Sequence, residues 1–291
     1  MKSNHFGLVI IFGLIAIALF GGSKNSQGGF HLFNLNNQNN SVDNQIADIQ
    51  RQTDDIKKQI QALEDSKTKS PYSKIISLQY VSRSTDPKSE FLTFRMDTFS
   101  TSSVNISGWR IASTQSGNSV TIPKGTDLYF SGVKNAEDNI NISADNTVYI
   151  VTGTSPIGYS FKVNKCSGFL SQFQTFVPYL STGNCPYPRN EDLSKIPKYV
   201  TNDACFDYID SMPNCRVQVD PLPISWSSEC RNFITEKINY LSCINTHKSD
   251  KDFYQKEWRI YLNRSTTLWK DRREIIVLYD NNGKIVSTLT Y

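Results

Sequence analysis

The feature that most constrains the fold is a series of short strand-forming runs between residues 75 and 164, separated by turn-forming residues about every ten positions. These runs of β-branched and aromatic residues begin at Ile75, Glu90, Ser107, Ser119, Asp127, Thr147 and Tyr159. The clearest hairpin comes last, where EIIVLYD and KIVSTLTY flank Asn281-Asn282-Gly283, because an Asn-Gly pair suits the positive φ angles of a tight turn. The pattern predicts an all-β sandwich.

Several motifs in this strand-rich part occur in a recognisable order. They are Glu90–Phe94, then NISGWRI at Asn105–Ile111, then Ile122-Pro123-x-Gly125 with Leu128 and Gly132, and finally Trp269 with Ile275–Asp280, Gly283, Val286 and Tyr291. Together they resemble the lamin tail domain, a small immunoglobulin-like sandwich, over residues 74–165 and 255–291.

The resemblance implies a mainly β, immunoglobulin-like fold. Gly108 before Trp109 lets the chain turn sharply, so that the indole can fill the sandwich core. In bacteria, lamin tail domains often accompany secreted or surface hydrolases and nucleases, which implies a role in targeting or binding. No hydrolase domain is evident beside it here, and a fold alone does not specify a function.

Residues 166–254 interrupt the sandwich pattern and contain all six cysteines, none of them spaced as CxxC. This usage argues against a zinc ribbon or a thioredoxin motif and favours disulfides in an oxidising compartment. Two helices are predicted. The first is capped by Asn202 or Asp203, and its apolar face contains Cys205, Tyr208, Ile209 and Met212. The second is capped by Ser227 or Ser228, and its apolar face contains Cys230, Phe233, Ile234, Ile238 and Leu241.

The expected insertion is therefore a disulfide-stapled helical hairpin. If the two helices run antiparallel, the pairs are Cys205–Cys243 and Cys215–Cys230, and Cys166–Cys185 closes a local loop. This is similar to the twin-cysteine hairpins of the coiled-coil-helix-coiled-coil-helix proteins. Six cysteines allow many pairings, so other connectivities stay open at this point.

The N-terminal residues 1–22 contain an uncharged apolar run from Phe6 to Phe20. Because Lys2 and the amino terminus precede it, the run predicts a transmembrane anchor with a cytoplasmic N-terminus. A cleaved signal peptide is the alternative, although small residues are poorly placed for a cleavage site. Both interpretations export the rest of the chain, so the folded part is expected outside the cytoplasm, at the cell surface or in the periplasm.

Residues 23–41 are rich in Asn, Gly, Ser and Gln, which predicts a flexible tether. Residues 42–65 then carry a heptad pattern made by Val42, Ile46, Ile49, Thr53, Ile56, Ile60 and Leu63. Isoleucine at both a and d favours coiled-coil trimers or tetramers, so the chain is expected to form a homo-oligomer. The alternative is a single amphipathic helix that packs on its own domain.

Catalytic, metal and cofactor sites find little support in the sequence. Of the three histidines, His5 and His31 precede the folded region, and His247 lies in a polar stretch that predicts an exposed loop. An even number of cysteines in an exported chain argues against a free thiol nucleophile. We therefore predict no catalytic residue, no metal, no cofactor and no enzymatic activity.

One cluster mixes aromatic and basic side chains in the way that a phosphate-binding surface does. Its members are Arg259, Arg264, Trp269, Lys270, Arg272 and Arg273. Glu257, Asp271 and Glu274 dilute the local charge, and Trp258 and Trp269 are alternatively core residues. The net charge of +4 does not mark a dedicated nucleic-acid binder, so an anionic envelope polymer is the favoured ligand and nucleic acid the less favoured one.

Together these features predict a prokaryotic, membrane-anchored, non-enzymatic attachment protein. Its expected partner is an envelope polymer, a glycan or another protein. One alternative is a structural oligomer without a soluble ligand, in which the stalk is the functional part. The other is an uncharacterised hydrolase with a carboxylate site in the insertion, which predicts a deep, acid-lined cleft.

Overall fold

The structure, a computed structural model, describes residues 36–198 and 203–291. In these residues no helix is long and apolar enough to cross a membrane. The predicted anchor, residues 1–22, lies outside the described residues, as does the predicted tether up to residue 35. The described residues fall into two units that divide between Ile60 and Gln61.

The first described element is a long polar helix, α1 (Asn36–Thr68), which begins inside the predicted tether. Its apolar side chains at heptad spacing are exposed to solvent. The exposed fractions of their surfaces range from 48% to 62% for Ile46, Ile49, Ile56, Ile60 and Leu63. Thr53, at an a position, donates its hydroxyl to the carbonyl of Ile49 at 2.8 Å, which satisfies the hydroxyl within the helix. The helix ends just before Pro71, which begins a short 3₁₀ turn capped by Ser70.

The strands are β1 (Ile76–Ser82), β2 (Phe91–Met96), β3 (Val104–Asn105), β4 (Arg110–Ser113), β5 (Ser119–Thr121), β6 (Asn141–Ile142), β7 (Thr147–Val151), β8 (Phe161–Asn164), β9 (Tyr254–Tyr261), β10 (Ile275–Tyr279) and β11 (Ile285–Thr290). One sheet has the order β1-β2-β7-β9-β8 and a second has the order β11-β10-β4-β5, while β3 and β6 form a short ribbon. β7 and β9 run parallel.

The two larger sheets share one hydrophobic core. Leu92, Phe94 and Ile150 of the first sheet lie in the same buried cluster as Ile111 and Leu278 of the second. Each such side chain contributes about 1.5–3 kcal/mol by leaving water. The fold is therefore rich in sheet, as predicted, and its two layers are consistent with a β-sandwich.

Trp109 lies in this core with 1% of its surface exposed. The residue before it, Gly108, has φ +87°, a conformation that side chains with a Cβ rarely adopt. A Cβ at this position would also stand 2.8 Å from the side-chain oxygen of Asn281, in the β10–β11 turn. Glycine is thus required where the chain turns to insert the indole.

Several segments differ from the strands that the sequence predicts. The run at Asp127 forms no strand, because Leu128, Tyr129 and Phe130 pack against the core of the insertion instead of a neighbouring strand. The pattern misses the two-residue strands β3 and β6, and it also misses β9, whose first half is charged and partly exposed. β9 is fixed by its neighbours β7 and β8, which are distant in sequence.

The insertion contains α2 (Asp203–Ser211), α3 (Ser228–Asn232), a π-helical turn (Phe233–Lys237) and α4 (Tyr240–His247). The first predicted helix is present, and Ser227 caps the second as one of the two predicted caps. The second helix is nevertheless not continuous, because the backbone of Asn239 is extended, with φ −154° and ψ 169°. The Asn239 side chain caps a new helix, α4, by accepting a hydrogen bond from the backbone N–H of Ser242. The prediction of a simple helical hairpin is therefore wrong.

All six cysteines form disulfides, but the predicted pairing is wrong. The bonds are Cys166–Cys243, Cys185–Cys215 and Cys205–Cys230. The prediction assumed one helix running from Ser228 past Leu241. Because the chain redirects at Asn239, Cys230 faces α2 whereas Cys243 reaches the start of the insertion.

Candidate functional site

Arg259, a predicted polymer-binding residue, is an internal structural cation. Only 3% of its surface is exposed, and its Nε lies 2.6 Å from the carboxylate of Glu257. Its two terminal nitrogens donate to the carbonyls of Pro178 at 2.6 Å and Tyr179 at 3.3 Å. Its guanidinium also lies 4.3 Å from the ring centroid of Tyr149. With its donors used in this way, Arg259 is not available to a ligand.

The tryptophans of the predicted cluster are core residues. Trp269 is 7% exposed and Trp258 is 1% exposed, and both lie in the core that the two sheets share. Neither indole can stack on a ligand at the surface. The cluster therefore has no aromatic platform, and its binding capacity rests on its cations.

Three predicted cations remain together on the surface, in the loop between β9 and β10. Lys270, Arg272 and Arg273 are exposed, and none of them forms an ion pair with any described residue. Arg264, earlier in the same loop, is half-buried and donates to the hydroxyl of Thr266 at 3.4 Å. The exposed part of the predicted site is thus Lys270–Arg273.

A buried carboxylate holds the start of this segment. Glu90, which has no exposed surface, accepts hydrogen bonds from the backbone N–H groups of Leu268 at 2.8 Å and Trp269 at 3.2 Å. It also accepts one from the hydroxyl of Thr152 at 2.6 Å. Because one carboxyl group accepts all three hydrogen bonds, this arrangement fixes the backbone immediately before Lys270.

A second buried carboxylate holds the end of the segment. Glu274 is fully buried and accepts from the backbone N–H of Lys270 at 3.2 Å, so that it closes the loop on itself. It also accepts from the Ser113 hydroxyl at 2.7 Å and from the Ile275 N–H at 2.9 Å. Between these two anchors the three cations point away from a backbone that is already ordered, which lowers the entropy cost of binding.

The structure adds a fourth cation that the sequence did not indicate. Arg83 donates to the carbonyl of Asp271, and its guanidinium lies 5.2 Å from the ring centroid of Tyr291. The Tyr291 hydroxyl in turn donates to the carbonyl of Lys270 at 2.9 Å. Burial and the neighbouring Glu274 carboxylate raise the pKa of Tyr291 to about 12, so the hydroxyl keeps its proton. We call Lys270–Arg273 together with Arg83 the basic loop.

Elsewhere, His247 is not the exposed loop residue that the sequence predicts. It ends α4, its side chain is 18% exposed, and its two nitrogens lie 2.9 Å from Glu191 and 2.8 Å from Asp250. Burial lowers the pKa of His247, but the hydrogen bonds to the two carboxylates outweigh it and raise the pKa above the ordinary value. Lys165 continues the network, with its ammonium 2.9 Å from Asp250 and 2.7 Å from Asp252.

Comparison with known proteins adds no assignment. No protein-family model matches the chain, and no curated protein matches its sequence. Within residues 36–198 and 203–291, no group of three or more histidine, cysteine, aspartate or glutamate side chains is arranged to hold a metal ion. The basic loop is thus the part of the predicted binding cluster that is exposed to solvent.

Proposed function

We propose that this chain is a non-enzymatic attachment protein whose basic loop binds phosphate-bearing polymers of the cell envelope. The observation that carries the proposal is the loop itself. Two buried glutamates, Glu90 and Glu274, order its backbone, and Lys270, Arg272 and Arg273 are left exposed without an ion pair among the described residues. Unpaired cations on a fixed backbone are a binding surface for repeated anionic groups.

The loop favours a polymer over a small anion. Its four cations are displayed on an open surface, because all four side chains are exposed. Each single contact with a phosphate on such a surface is weak because water screens it. Several contacts along one polymer, each releasing a counterion, add up to useful affinity.

The lamin-tail interpretation and the export of the domain belong to the same proposal. The positive φ of Gly108 and the burial of Trp109 in a two-layer core support the NISGWRI motif as a lamin-tail signature. Three disulfides with no free cysteine among the described residues support an oxidising location. A membrane anchor in residues 1–22 would hold the domain at the envelope, where such polymers occur.

Self-association through α1 extends the proposal. Its exposed stripe is apolar along one face, and the flanking g positions hold uncharged glutamines at Gln45, Gln52 and Gln59. In a parallel oligomer of these helices, each charged e side chain, such as Lys57, therefore lies beside a neutral g-position glutamine of the neighbouring helix. An oligomer would present several basic loops to one polymer, which raises the apparent affinity without a new contact.

The test is binding of the full-length, oxidised chain to long-chain polyphosphate, duplex DNA and neutral dextran over a series of salt concentrations. The four cations of one loop predict a slope of about −3 in log K against log salt for polyphosphate, for each loop that engages the polymer. Dextran should not bind. Equal binding to all three polymers, or binding that does not respond to salt, would contradict the proposal, and stronger binding to DNA than to polyphosphate would replace the envelope polymer with nucleic acid.

A further inference from the structure

The insertion contains an open cavity of about 480 Å³, remote in sequence from the basic loop. Its apolar floor is formed by Ile196, Phe233 and Cys243, which are all buried. This volume lies within the range of sites that bind small organic ligands. Its rim is charged, so the cavity combines an apolar base with polar groups at the opening, as ligand sites do.

The cavity has walls that cannot easily collapse. The wall from α3 is tied to α2 by the Cys205–Cys230 bond, and the wall from α4 is tied to the start of the insertion by the Cys166–Cys243 bond. Between them the chain forms the π-helical turn Phe233–Lys237, a rare geometry that is frequent at functional sites. A space held open in this way is organised before a ligand arrives.

The third wall is held by a charge interaction. Glu191 lines the cavity and lies 2.9 Å from Nε2 of His247, whose other nitrogen is bound to Asp250. One oxygen of Glu191 is already engaged by His247 and is therefore not available to a ligand. The rim charges that remain for a ligand are those of the other lining residues.

These rim charges have both signs. Asp192, Glu229 and Glu236 supply carboxylates, and Lys195 and Lys237 supply ammonium groups. Hydrogen bonds from its own backbone N–H and from Ser228 lower the pKa of Glu229, so that carboxylate is ionised at neutral pH. Among the residues that the structure describes, neither Glu236 nor Lys237 forms an ion pair.

From this geometry we infer that the cavity binds a zwitterionic amino acid or dipeptide with a bulky apolar side chain. The apolar side chain lies on Phe233 and Ile196, the ligand ammonium faces Glu229 and Glu236, and the ligand carboxylate faces Lys237. A ligand with only one charge would leave either the carboxylates or the ammonium groups of the rim without a partner. The site is separate from the basic loop, so a result that contradicts dipeptide binding by the cavity does not bear on polymer binding by the loop.

The test is calorimetric titration of the full-length, oxidised chain with phenylalanyl-leucine, its N-acetyl form and its C-terminal amide. The free dipeptide should bind most tightly, and removing either charge should weaken binding about threefold to fivefold. E236Q should lower the affinity for the free dipeptide but leave the affinity for the N-acetyl form unchanged. K237Q should lower the affinity for the free dipeptide but leave the affinity for the amide unchanged. The exposed E137Q and K124Q are matched controls and should bind as the wild type.

Two results would overturn the inference. One is the absence of saturable binding of the free dipeptide at about 10 mM, a concentration well above the highest dissociation constant expected of a formed site. The other is equal affinity of the wild type, E236Q and K237Q for the free dipeptide. Because both substitutions are at exposed positions, the two variants are expected to fold as the wild type does.

Discussion

The buried carboxylate of Glu90 accepts a hydrogen bond from the backbone N–H of Leu268 at 2.8 Å, across 178 residues of chain. Glu90 directly precedes β2, so the bond ties the first sheet to the loop that carries the exposed cations. The neighbouring N–H of Trp269 donates to the same carboxylate. The position of the basic loop therefore depends on a contact made in the core.

Removing the Glu90 carboxylate should destabilise the fold and weaken polymer binding together. In Glu90→Ala the N–H groups of Leu268 and Trp269 lose their acceptor, and each buried group left unpaired costs about 1–3 kcal/mol. Glu90→Gln keeps one acceptor oxygen and should lie between the wild type and alanine. Urea unfolding of the three chains measures this order. A free energy of unfolding for Glu90→Ala equal to that of the exposed control Glu137→Ala would contradict the role given to Glu90.

The stalk can be tested separately from the loop. Ile49→Asp combined with Ile56→Asp places charges in the exposed apolar stripe and should convert an oligomer to a monomer in sedimentation-velocity experiments. The matched control, Ala47→Asp with Gln61→Asp, adds the same charge at b positions of the helix and should leave assembly intact. An oligomer that survives the isoleucine substitutions would show that the stripe is not the contact surface.

The charge network at His247 makes stability depend on pH. Since its folded pKa is raised above the unfolded value of about 6.5, the protonated ring contributes stability below about pH 6.5. That contribution is lost as the pH rises through the raised pKa. His247→Gln should remove this pH dependence, which thermal unfolding between about pH 5.5 and pH 8.5 would reveal. A wild type whose stability relative to His247→Gln increases with pH in this range would contradict the assignment.

The disulfide connectivity is directly measurable. Peptide mapping under non-reducing conditions should recover three linked pairs, Cys166–Cys243, Cys185–Cys215 and Cys205–Cys230. Gly168 explains part of the specificity, because a Cβ at this position would lie 2.7 Å from the sulfur of Cys185 and 3.0 Å from that of Cys215. Recovery of a peptide that links Cys205 to Cys243 would contradict the structure.

Local signals made most of the sheet predictable. The last hairpin is an example, since Gly283 has φ +74° and donates to the carbonyl of Asp280 at 3.0 Å, although Asn282 before it does not have a positive φ. Gly108 and Trp109 also follow from their own residue types. In each case the information lies within a few neighbouring residues, where side-chain pattern and backbone preference act together.

Long-range contacts were not predictable in the same way. Arg259 resembles a surface cation in the sequence, but Glu257 and two carbonyls about eighty residues earlier neutralise and enclose it. Arg83 joins the basic loop through a contact that spans 188 residues and leaves no local signal. The disulfide pairing depended on a single extended residue, Asn239, inside what the apolar pattern presents as one helix.

The most direct measurement compares the salt dependence of polyphosphate binding in two variants with equal net charge. The first replaces Lys270, Arg272 and Arg273 with glutamine, and the second replaces the exposed Lys124, Lys134 and Lys251 with glutamine. The first should bind weakly with a slope of about −1, because Arg83 alone remains, whereas the second should keep the wild-type slope of about −3. Equal slopes in the two variants would show that net charge, and not the basic loop, binds the polymer.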